Sequence, residues 1–139
     1  MRKVFFLSAL VLVLGISANV SAETVKVGTK TVINGSYSFK AEFPEKPKMG
    51  EGVLRITLWD KDGKQVTDLE IFGSYDMASM AGQHSMAPKT VLTSQKGFYL
   101  FPVNFAMRGK WQVDLVFKTK ATENTKSSSL YTAAIQVSI

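Results

Sequence analysis

Residues 76–88 read DMASMAGQHSMAP, and they hold Met77, Met80, Met86 and the only histidine of the chain, His84. Thioether and imidazole together suit soft and borderline transition metals, copper above all. A thioether carries no proton at ordinary pH and forms no disulfide, so it stays a ligand in an oxidising compartment. The spacing admits a site. Met77 and Met80 stand three apart, Met80 and His84 four apart. His84 and Met86, at i and i+2, point the same way in extended chain. Met107, in the turn AMRG, can close the site from a neighbouring segment. This donor set favours Cu(I). Asp76 with His84 would instead help Cu(II) or another divalent ion. Met49, between a lysine-containing turn and a glycine-rich one, is not counted as a ligand.

Two other uses of the same residues stay open. Methionine is an unbranched gap-filler, and a loop folded over the end of a sheet protein can use it as a plug. A methionine surface also adapts to a protein partner. Methionine clusters have no fixed ligand spacing of the kind that marks cysteine zinc sites.

The elements that must hold these residues read as strands. YSFKAEF (37–43) alternates Tyr37, Phe39, Ala41 and Phe43 against polar residues. GVLRITLWD (52–60) sets Leu54, Ile56 and Leu58 against Arg55 and Thr57, and KWQVDLVFK (110–118) sets Trp111, Val113, Leu115 and Phe117 against Gln112 and Asp114. YTAAIQVSI ends with Ile135, Val137 and Ile139 on one face. A period of two over such runs means strands with one buried face. Further strands are expected over 65–73, 89–95 and 97–105. DKDGKQV (60–66) is expected to be a hairpin turn, and NGS, QKG and MRG punctuate the rest. The predicted fold is all-β, an immunoglobulin-like antiparallel β-sandwich of seven to eight strands. If successive strands alternate in direction, Met49, Met77, Met80, His84, Met86 and Met107 fall at one pole. The polar stretch KATENTKSSS (120–129) is expected to be the most mobile.

Residues 1–22 read as a secretory leader: Arg2 and Lys3, an apolar run from Val4 to about Ile16, then NVSA before the cut. The run is short for a span, which needs roughly 20 apolar residues. The expected organisation is a cleaved leader, 1–22, and one domain, 23–139, in a periplasm, with no membrane span after cleavage. Without Arg2 and Lys3 the 17 cations fall to 15 against 11 acids, a mild balance of +4. Those cations are scattered, so no nucleic-acid or membrane patch is expected. With no cysteine, packing alone must hold the fold.

Catalysis is not expected. Ser85 lies beside His84, but no Gly-x-Ser-x-Gly elbow frames it. Asp60 and Asp62 belong to a turn, Asp68 and Glu70 to one solvated strand face, and no phosphate loop is present.

The order of motifs resembles the YtkA-like domains, related to FixH proteins. Asp60, Gly63, Lys64 and Val66 end one strand; Met77, Met80, His84, Met86 and Pro88 form the loop. Gly97 and Tyr99 open the next strand, and Met107, Gly109 and Trp111 make the last turn. The resemblance spans roughly residues 37–139. It implies an exported immunoglobulin-like sandwich associated with copper handling and cytochrome oxidase assembly. On this reading the chain is a copper carrier, buffer or assembly accessory whose partners are a copper ion and a periplasmic or membrane protein. The alternative is a metal-free interaction module.

Overall fold

The computed structural model describes residues 22–77 and 87–139. The expected leader, apart from its last residue, Ala22, lies outside the described residues, as do Met80, His84 and Met86. Among the described residues ten strands follow one another: β1 (Glu23–Val25), β2 (Thr31–Ile33), β3 (Tyr37–Glu42), β4 (Gly50–Asp60), β5 (Leu69–Met77), β6 (Lys89–Thr90), β7 (Leu92–Thr93), β8 (Tyr99–Phe105), β9 (Lys110–Thr119) and β10 (Ser129–Ser138). They make two five-stranded sheets, ordered β1-β10-β9-β5-β6 and β2-β3-β4-β8-β7. Every pairing is antiparallel except the parallel β1–β10 edge. Among the described residues no helix is long and apolar enough to cross a membrane.

The expected period of two is what builds the core. Phe39, Ala41, Leu54, Ile56 and Leu58 are buried from one sheet, and Trp111, Val113, Leu115, Phe117, Ile135 and Val137 from the other. Burying one such side chain contributes about 1.5–3 kcal/mol. Aromatic rings bridge the sheets, with Phe39 and Phe117 centroids 4.6 Å apart.

Three differences from the sequence expectation have physical causes. First, the strand expected over 65–73 is Leu69–Met77. The turn after β4 does form: Asp60 Oδ1 accepts from the backbone N–H of Asp62 and Lys64, both at 2.9 Å. Beyond it Gln65 bridges back to Trp59, and the Val66 N–H donates to the Leu58 carbonyl at 3.0 Å, before the chain crosses to the other sheet. Gly73 does not end β5. It sits mid-strand, where a Cβ would stand 2.7 Å from Phe101 Cζ, so the glycine makes room for a ring of the opposite sheet. Second, the strand expected over 89–95 is split. β6 pairs with β5 and β7 pairs with β8, and Val91 between them donates its N–H to Ile71 at 2.8 Å. Third, β1 and β2 are three residues each, too short for alternation to register, which brings the count to ten rather than seven or eight. The polar 120–129 stretch is exposed but tied at its mouth, where Thr119 and Ser128 exchange backbone and hydroxyl hydrogen bonds.

Candidate metal centre

The strand register fixes which loops share an end. Glu42 pairs with Arg55, Gly50 with Phe105, and Met77 with Trp111. The end of β3, the start of β4, the end of β5, the end of β8 and the start of β9 therefore lie together. This methionine pole holds Met49, Met77 and Met107, each delivered by a different connection. The opposite, turn pole holds the Asp60–Lys64 and Ser94–Gly97 turns.

Met77 is the last residue of β5 and points inward, as Leu69, Ile71 and Gly73 do before it. It is 7% exposed. Asp76, one position earlier, belongs to the outward face, and its Oδ1 accepts the Met77 N–H at 2.8 Å. A carboxylate occupied with the local backbone on the other face is poorly placed to share an ion with Met77.

Trp111 is the cross-strand partner of Met77 and is buried. Its ring lies within an aromatic cluster, 5.3 Å from Phe105 and 6.1 Å from Tyr75 between centroids. Its indole Nε1–H donates to the Met107 carbonyl at 3.0 Å. That bond satisfies a buried donor and clamps the β8–β9 turn beside the end of β5. Gly109 completes the turn with φ +145°, and its N–H and carbonyl both bond the backbone of Ile139, at 3.2 and 2.9 Å. A Cβ on Gly109 would stand 2.6 Å from Met77 Cε. The Met77 methyl is thus seated against the turn that carries Met107.

Of the five residues expected to bind metal, the structure brings Met77 to the Met107 turn. The Met107 side chain is half exposed, while Met80, His84 and Met86 lie outside the described residues. Met49 shares the pole and is equally exposed. Neutral thioethers, one buried and one accessible, fit a soft ion such as Cu(I) better than a hard one. Among the described residues no three His, Cys, Asp or Glu side chains gather to hold a metal. Sequence reasoning passed over the parts that fix the pole: the Gly109 seat, the Trp111 indole bond and the Ile139 tie. MRGKW carried a signal for the first two, since a glycine two residues before a buried tryptophan marks a tight turn against the core.

A cleft of about 670 Å³ opens beside this pole, with Phe43, Tyr75 and Phe105 as apolar walls and Lys46, Lys48 and Lys89 at its rim. Met49, Met77 and Met107 do not line it.

A family model described as YtkA-like matches residues 31–116. Two solved structures of FetP from uropathogenic Escherichia coli strain F11 share the fold. One is a copper-bound single-substitution variant, with TM-score 0.54 and 10% identity over 81% of this chain and 94% of that one. The other is the as-isolated protein expressed in the E. coli periplasm, with TM-score 0.52 and 10% identity over 81% and 93%. No curated protein matches the sequence.

Proposed function

The chain belongs to the YtkA-like family, and from that membership we propose that it is an exported copper-binding protein, a carrier, buffer or oxidase-assembly accessory, rather than an enzyme. The ion is bound at the methionine pole by Met77 and Met107, completed by Met80, His84 and Met86. The observation that carries this reading is the joining of Met77 to the Met107 turn through Gly109 and Trp111. Met77 and the turn that carries Met107 come from separate segments to one end of a protein without cysteine. The copper bound by the FetP variant supports copper for the same fold. Cu(I) is the favoured cargo because thioethers prefer it. Export rests on the leader, residues 1–22, with a periplasm as destination.

The test is metal content and N-terminal sequence of protein recovered from a copper-supplemented periplasm. About one copper per chain and a start at Glu23 are expected. Zinc in place of copper, or an unprocessed N-terminus, overturns the corresponding half of the proposal.

One observation favours a second reading. Met49 and Met107 are both about half exposed at the same pole. Exposed thioethers suit a pliable contact with a protein, and the chain would then be a metal-free interaction module.

A further inference from the structure

We infer that Gly109 and Trp111 are positioning residues for the Met77 thioether, setting the direction in which its sulfur faces a soft monovalent ion; this rests on the copper reading of the pole. A methionine side chain has three rotatable bonds and ordinarily samples many arrangements. At Met77 its far end packs against Gly109. The methyl occupies the space that a Cβ on residue 109 would need, 2.6 Å away, so the seat exists only because that residue is glycine. The seat itself cannot drift. The N–H and carbonyl of Gly109 are both bonded to Ile139, and its φ of +145° is one that other residues rarely adopt.

The second wall of the bracket is Trp111. It pairs with Met77 across β5 and β9, and its Nε1–H holds the Met107 carbonyl at 3.0 Å. One indole thus fixes the main chain of the turn that bears one thioether and flanks the strand that bears the other. With the methyl packed against Gly109, the orientation open to the Met77 thioether depends on the room that residue 109 leaves. The ordering cost of that side chain is then met during folding rather than during metal capture, which raises affinity without adding a ligand. Groups that orient a ligand typically change metal affinity by about 10–100-fold when removed.

The experiment uses the mature protein labelled with 13C at the methionine methyls, with Ag(I) as probe, well below the melting temperature. Wild type, Gly109→Ala and Trp111→Phe are compared. Trp111→Phe keeps a smaller aromatic ring and removes the N–H donor, so it decides the matter if Gly109→Ala does not fold. In wild type Ag(I) is expected to move the Met77 methyl resonance. In each folded variant that resonance should move already in the metal-free protein, and Ag(I) affinity should fall about tenfold or more. Weakened packing alone lowers the melting temperature but does not change the affinity of the folded protein. An unchanged Ag(I) affinity in folded Trp111→Phe, with wild type responding at Met77, overturns the positioning role and leaves the copper reading standing. A wild-type Met77 methyl that ignores Ag(I) overturns both.

Discussion

At the turn pole, polar side chains hold the loops; at the methionine pole, an aromatic cluster and a glycine do. Asp60 caps its own turn with two hydrogen bonds. Gln65 Nε2–H donates to the Gly97 carbonyl at 2.8 Å, and Ser94 Oγ accepts from the Phe98 N–H. Between the sheets at this end the buried Tyr99 hydroxyl donates to the Leu69 carbonyl at 2.6 Å. Among the described residues the methionine pole has the indole bond, a backbone tie to Ile139, the Asp76 carboxylate on the Met77 N–H and the Arg55–Glu42 ion pair, with Tyr75, Phe105, Trp111 and Met77 packed inside. The contrast shows how one sandwich can spend directional bonds on stability at one end and keep soft, weakly hydrated donors available at the other.

The largest break in that contrast should come from Trp111→Ala. It empties the centre of the aromatic cluster and removes the clamp on Met107, so a loss of about 3–5 kcal/mol is expected. Urea unfolding measures it; a loss under about 1 kcal/mol would show that the methionine pole does not rely on this ring. Next comes metal linkage. Cu(I) or Ag(I) at 100 times its dissociation constant should stabilise wild type by about 2.7 kcal/mol. A variant with Leu at positions 77, 80 and 86 should gain nothing, although its volume is nearly conserved and its metal-free stability changes by under about 1.5 kcal/mol. Equal shifts in thermal melts of the two proteins would assign these methionines to packing.

At the turn pole the expected effects are smaller. Tyr99→Phe leaves the Leu69 carbonyl without its buried donor and should cost about 1–3 kcal/mol. The same residue links the fold to pH. Burial pushes the Tyr99 hydroxyl up to about 12, above its unfolded value near 10. The folded state therefore holds this proton more tightly. Its contribution is complete below about pH 10 and is lost as pH rises through the folded value. Tyr99→Phe should flatten the alkaline limb of stability against pH. A remainder should persist from Tyr131, also raised to about 12 by burial and by its hydrogen bond to Glu23. An unchanged alkaline limb in denaturant titrations between pH 9 and 12 would refute the link. Gln65→Ala, at an exposed site, should cost least, under about 1 kcal/mol. A loss above 2 kcal/mol would mean that the two turns depend on one another.

How far the sequence foretold this depends on whether the cause was local. Long alternating runs such as KWQVDLVF named their own inward faces, because period and burial are the same statement in a strand. The role of Gly73 was hidden for the opposite reason: what requires it is a Phe101 ring delivered from another sheet. The split at Val91 was hidden likewise, since two two-residue strands carry no period. At the site, residue type pointed to Met77 and Met107 and the alternating directions placed them at one pole. MRGKW hinted at the tight turn, but the tie to Ile139 was illegible, a partner that no spacing announces.

The parallel edge formed by β1 and β10 has a temporal consequence. Glu23 pairs with Ala133, a separation of 110 residues, and Val25 with Ile135. Such closures lose more chain entropy than local ones and form slowly. A chain that emerges from a ribosome or a translocation pore with its amino end leading must therefore carry its first strand unpaired until Ser129–Ser138 has followed. Gly109 waits as well, for Ile139. Residues 129–139 thus both seat the first strand and tie the turn beside Met77, so neither contact can form before they have followed.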